Sequence, residues 1–184
     1  MAVALLVVLA VLALGLVALY NRLAQLNVQA DNAWADIEVQ LKRRHDLIPN
    51  LVQTVQGYAS HEKESFRAVI EARNSAISAR GPAEQQRAEQ QLAASIGQVF
   101  ALAEAYPALR AVESFTALQR DLGGIEEALQ NARRYYNAVV RDLNTAIVQF
   151  PSNLVAGVFG VRSRSFFELS DRAEAAVPRV AFGG

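Results

Sequence analysis

From Ala2 to Leu19 the chain carries no charged and almost no polar side chain. A run of this length, wound as a helix rising about 1.5 Å per residue, spans roughly the 30 Å of a bilayer core. Inside lipid each backbone N–H must bond within its own segment, so a single such run can only be a helix. Tyr20, Asn21 and Arg22 follow it, an aromatic edge and then a cation, the order expected where a spanning helix meets the headgroups. A cleaved signal peptide would need a basic start, and no Lys or Arg precedes the run. A buried core helix would not be apolar on every face. The expectation is an uncleaved anchor over residues 1–20. Arg22, Lys42, Arg43 and Arg44 lie after the run and no cation lies before it. This bias places the bulk of the chain in the cytoplasm, in a single-pass arrangement.

Beyond the anchor about 160 residues remain, enough for one domain with a real core. Formal net charge is zero, which argues against a nucleic-acid partner. Cysteine is absent, which removes disulfide frameworks and thiol chemistry.

The apolar pattern is helical throughout. Tyr20, Leu23, Asn27, Ala30, Trp34, Ile37, Leu41, Arg44, Ile48, Leu51, Val55 and Tyr58 alternate three and four apart, a seam that continues the anchor as one rod. Pro49 removes a donor from the carbonyl of His45, but the seam keeps phase across it, so a kink is expected and not a break. Gly57 ends the rod. A second helix starts with Ser60 as its cap and buries Phe66, Val69, Ile70 and Ile77. A third, from Gly81-Pro82 to Tyr106-Pro107, buries Leu92, Ile96, Val99, Phe100 and Ala103. A fourth, capped by Ser114 and closed by Pro151, carries a seam from Phe115 to Phe150. Gly123-Gly124 inside it suggest a close helix approach, or else a tolerated weak spot.

The fold class expected is all-α: a transmembrane helix continuing into a long-helix antiparallel four-helix bundle over residues 21–151, with a tail over 152–184. The rod and fourth helix are equally long and the middle pair shorter, so the membrane-proximal half is a two-helix stalk. Trp34 and Ile37 there face Tyr136, Val139 and Leu143. Two helices cannot bury those faces alone, which points to self-association. The tail, with Phe159, Phe166 and Phe167 beside Arg162 and Arg164, suits a membrane interface, a neighbouring subunit, or the gap in its own bundle.

The run Gln40-Leu41-Lys42-Arg43-Arg44-His45-Asp46-Leu47-Ile48-Pro49-Asn50-Leu51-Val52, with Gly57-Tyr58-Ala59 and His61-Glu62, closely resembles the signature of the LemA family. Ala103-Glu104-Ala105-Tyr106-Pro107, Phe115, Leu118-Gln119, Ala132-Arg133, Tyr136-Asn137, Phe150-Pro151-Ser152 and Phe166-Phe167-Glu168 extend the resemblance over nearly the whole chain. It implies a bacterial membrane protein with one N-terminal span, a helical domain and no established enzymatic activity.

No chemistry-bearing constellation stands out. His61 lacks the second histidine four residues on that a helical zinc site needs, since position 65 is serine. No metal, cofactor or catalytic residue is expected. Arg44 is the exception to the apolar seam. Its stem can snorkel to the surface, or it can form an internal ion pair with Glu104 or Glu126. The motif residues expected to matter structurally are Arg43, Arg44, His45, Asp46, Pro49, Asn50, Glu104, Tyr106, Pro107, Arg133, Tyr136 and Asn137. The interfacial residues expected are Trp34, Ile37, Tyr136, Val139, Leu143, Phe159, Phe166 and Phe167. The function expected is a self-associating scaffold on the bilayer that organises or remodels the membrane. The alternative is a monomeric adaptor or regulator of a membrane protease or signalling protein, and a more distant one is an enzyme of unrecognised type.

Overall fold

The computed structural model describes residues 1–168. Helix α1 runs from Ala2 to Gln56 without interruption, about 80 Å at 1.5 Å per residue. Its residues 2–18 are exposed on all sides, and the segment is apolar enough to cross a membrane. The remainder buries one stripe: Leu23, Leu26, Ala30, Ala33, Ile37, Leu41, Ile48, Leu51 and Val55. The backbone is continuous where the stripe begins, so the apolar segment and the amphipathic rod are one element, and the helix continues through Pro49.

Helices α2 (Lys63–Ser78) and α3 (Gly81–Ala105) form a hairpin at the far end of the rod. Gly81 takes φ +73° at the turn, a conformation open to glycine without a Cβ penalty. Glu84 accepts a hydrogen bond from the Arg80 N–H at 3.1 Å and so supports the start of α3. A short α4 (Pro107–Arg110) leads into α5 (Glu113–Val148), which returns along α1 for its whole length. The antiparallel register sets Trp34 against Tyr136 and Arg44 against Glu126. Helix α6 (Ser152–Phe159) packs back on α1 and α5, and Gly160 ends it at φ +67°, the left-handed cap that glycine favours.

The described residues are thus all-helical apart from links and an extended tail. The distal end packs α2 and α3 over the α1–α5 pair through Ile48, Leu51, Phe66, Val69, Leu92, Ile96 and Phe115. The proximal end is α1 against α5, with the tail as the third layer.

Several sequence expectations change. Helix α2 begins at Lys63, not Ser60, because Ala59 is buried and ties the chain down through turns to Val55 and Glu62. Ser114 lies inside α5 and caps nothing, since Val112 holds the cap position. Ala76 replaces Ile77, half exposed, on the buried face of α2. A Cβ at Gly123 or Gly124 would meet nothing within 4 Å. The pair allows no close approach and is a local weak spot, about 1 kcal/mol per glycine relative to alanine.

Candidate functional site

Buried polar groups concentrate where α1, α2, α3 and α5 meet. Glu89 is fully buried on α3. Its Oε1 accepts from His45 Nε2 at 2.6 Å and from Gln85 Nε2 at 3.0 Å. Gln85 also donates to the Ala76 carbonyl at 3.0 Å and so ties the α2–α3 hairpin. Arg44, 7% exposed, places Nη1 3.3 Å from Glu126 Oε2 and 3.6 Å from Glu89 Oε2. The internal ion pair with Glu126 is therefore present, and Glu104 takes no part because it is exposed on the opposite end of α3. Two carboxylates from two helices flank one guanidinium, which spans α1, α3 and α5 at once.

Pro49 completes the arrangement. It has no N–H to give the His45 carbonyl, and a buried orphan carbonyl is costly. Arg73 Nε on α2 donates to that carbonyl at 2.7 Å. The proline thus creates the acceptor on which the second helix docks. The run Arg44-His45…Pro49 is a four-helix junction encoded on one helix.

The other motif residues divide by exposure. Arg43, Asp46, Pro49 and Asn50 are on the outside of α1. Lys42 pairs with Asp46 at 2.7 Å, and its hydrogen bond holds the Asp46 carboxyl below the usual range. Tyr106 is half-buried against the distal core and Pro107 opens α4. Arg133 is half-buried on α5.

A second constellation lies in the proximal half. Asn144 gives and takes a hydrogen bond with the backbone of Arg164, both 2.9 Å. Asn137 does the same with Phe167, at 3.0 and 2.9 Å. Two turns of α5 advance about 10 Å, and so do three residues of extended chain. Two asparagines on one helix face therefore act as rungs for an extended tail. Arg164 reaches across to α1, with Nη2 2.8 Å from Asn27 Oδ1 and Nη1 2.6 Å from Asp31 Oδ1. Phe167 is fully buried, edge-on to Trp34 with ring centroids 5.3 Å apart.

This geometry corrects the interfacial expectation. Ile37, Tyr136, Val139, Leu143 and Phe167 are buried within the chain itself, and Trp34 is half-buried beside them. The tail covers the stalk, so those faces are not free for a second subunit. Phe159 and Phe166 remain exposed. The tail residues beyond 168 lie outside the described residues.

Tyr136 Oη donates to the Ser165 carbonyl at 2.9 Å, and burial pushes its phenol above the ordinary value of 10.0. The neutral phenol is the form the fold holds. Its contribution is present below pH about 10, where the unfolded phenol begins to ionise, and is lost as pH rises through the folded value. Wild type should lose more urea stability than Tyr136→Phe between pH 9 and 11 (~2 units across the phenol range); parallel losses would contradict the assignment.

Sequence reasoning missed Glu89, Gln85 and Arg73, and the Asn27–Asn144–Arg164 clamp. Glu89 and Gln85 share the α3 face of Ala88 and Leu92, a polar pair on an apolar stripe. The orphaned His45 carbonyl called for a donor. Asn27 stood on the apolar seam as Arg44 did.

The third feature is at the end of the apolar segment of α1. Helix α6 lies against α1 through Leu19, Leu23, Val155 and Ala156, and Tyr20 packs on Phe159 at 4.6 Å. Its outer residues Leu154, Val158 and Phe159 are 61%, 81% and 60% exposed.

Taken together, these features define an all-helical, membrane-associated protein whose buried polar groups join helices. The chain belongs to the LemA family, whose model matches residues 33–182. Among curated proteins it is similar to the magnetosome proteins MamQ 1 and MamQ 2 of Paramagnetospirillum magneticum, each 23% identical over 81% of this chain and 64% of the relative. Magnetosome protein MamQ of Magnetospirillum gryphiswaldense is 22% identical over 80% of this chain and 64% of the relative. The chain thus spans under two thirds of the length of these relatives. Neither the family nor these relatives are known enzymes.

Proposed function

We propose that the protein is a single-pass scaffold of the bacterial inner membrane, its helical domain cytoplasmic, which organises the bilayer through a second contact made by α6. The observation that carries this reading is the exposed apolar face of α6, held level with the last turns of the anchor. If residues 2–20 span the hydrocarbon, the α6 face lies at the headgroup–acyl boundary. Aromatics Tyr20, Phe150 and Phe159 and cations Arg22 and Arg162 gather there, the composition of an interfacial belt. A helix seated in one leaflet beside a spanning helix displaces lipid on that side alone, which biases local shape. The cations at this level also favour the cytoplasmic side.

Self-association belongs to this reading in a changed form. The stalk faces are covered, so assembly would run through anchors and α6 faces in the plane of the bilayer. The similarity to magnetosome proteins is in keeping with a part in a bacterial cell structure.

The test uses the absence of cysteine. Val158→Cys, labelled with an environment-sensitive fluorophore in the full chain in nanodiscs, should emit as in an apolar medium and be quenched by lipids carrying a spin label near the headgroup. Emission as in water, with no quenching, would overturn the interfacial seat.

A further inference from the structure

A cleft of about 520 Å³ opens between α1, α5 and α6 at this same level. That is within the range of small-ligand sites. Its apolar lining includes Leu19, Leu23 and Phe150, with Leu19 at the end of the apolar segment of α1. Its polar lining includes Arg22, Arg141, Asp142, Thr145 and Gln149. Among the described residues neither arginine has a carboxylate partner, whereas Arg44 and Arg164 both do. Ser152 Oγ is engaged with the carbonyls of Ala146 and Gln149, which holds the α5–α6 corner in the shape that leaves the cleft open.

We infer that this cleft holds the headgroup of an anionic glycerophospholipid of the phosphatidylglycerol type, with Arg22 and Arg141 on its phosphate. The inference rests on the membrane seat proposed above. The chemistry follows from the walls. Two cations against one carboxylate leave a net positive site, which selects a phosphate that is not balanced by its own ammonium. Arginine forks match phosphate oxygens. Asp142 accepts from headgroup hydroxyls, and Thr145 and Gln149 can bond either. Leu19 and the exposed Phe150 give the acyl chains an apolar path along α1. The second cleft on this level, lined by Tyr20, Asn27, Arg162 and Arg164, offers one uncommitted cation and not two, because Arg164 is held by Asn27 and Asp31.

The experiment is native mass spectrometry of the full chain released from nanodiscs of phosphatidylcholine containing phosphatidylglycerol, beside Arg22→Gln, Arg141→Gln and the double variant. Wild type should retain phosphatidylglycerol in preference to phosphatidylcholine. That preference should fall about fivefold for each arginine removed, the effect of one cation at a membrane surface. Arg110→Gln with Arg120→Gln, exposed at the distal end, should leave it unchanged. Equal preference in the double variant and wild type would overturn the site. Displacement of the lipid by inorganic phosphate would make the ligand a free phosphate and overturn the lipid assignment. The fluorophore at position 158, read in the same discs, separates the two proposals. Lost preference for phosphatidylglycerol in wild type with α6 still seated sinks the cleft alone, and an unseated α6 sinks the membrane reading.

Discussion

Glu89→Ala should lower the stability of the helical domain by about 3–5 kcal/mol, the usual effect of removing one partner from a buried charged cluster. At roughly 2–4 °C per kcal/mol for a chain of this size, the melting temperature falls by about 10 °C. Glu89 is where the fold has concentrated its polar obligations. Its carboxylate receives His45 and Gln85 and faces Arg44. Without it His45 and Gln85 lose an acceptor in a site water does not reach, and Arg44 keeps only Glu126, which is half in solvent. Glu126→Ala should have the smaller effect, since its partner retains Glu89. Replacing Arg44 and Glu89 together by methionine and leucine should cost less than the sum of the single replacements, because no charge is then left stranded. Thermal unfolding of these variants, the two single replacements included, measures this directly. A Glu89→Ala melting temperature within about 2 °C of wild type would mean that the cluster holds nothing together.

Phe167→Ala should cost about 3–5 kcal/mol, and its consequence differs in kind. The side chain is fully buried between α1 and α5 and lies edge-on to Trp34. Removing it leaves a cavity and weakens the seating of the extended tail on Asn137 and Asn144. The faces of Ile37, Val139 and Leu143 then become accessible, and the domain should associate at concentrations where wild type does not. Trp34 is the only tryptophan, so its fluorescence should shift to the red as the ring above it goes. Unchanged emission and stability would show that the tail is not the third layer of the proximal core. If the wild-type domain already associates and Phe167→Ala does not increase it, the stalk is covered by something other than the tail.

These two sites mark the limit of what a sequence could say here. The long apolar N-terminal segment, the unbroken α1 and the seam of α5 were legible because each depends on local sequence pattern. An apolar residue every third or fourth position specifies a helix and its buried stripe whatever lies opposite. The family signature was legible for the same reason, as contiguous residues. Arg44 was recognisable as a charge on an apolar seam, and its partner Glu126 could be guessed from the antiparallel register of two equal helices. Glu89 could not, because it belongs to the hairpin that folds over the seam, and its depth depends on how α2 and α3 dock. The covered stalk was hidden more deeply. Nothing periodic marks residues 161–168, which form no helix, and their seat comes from matching the rise of an extended chain to asparagines two helical turns apart.

The sequence by itself determined the elements: a helix of spanning length, its amphipathic continuation, the long partner and the shorter pair. It did so because helix formation and amphipathic burial are set by spacing along one chain. Only the tertiary structure decided which faces are occupied. That depends on contacts between segments over a hundred residues apart, such as Asn27 and Arg164. Hydrophobic burial has no direction of its own, so an apolar face accepts a second subunit or its own tail equally well. Here hydrogen bonds from Asn137, Asn144 and Tyr136 and the Arg164 clamp choose the tail.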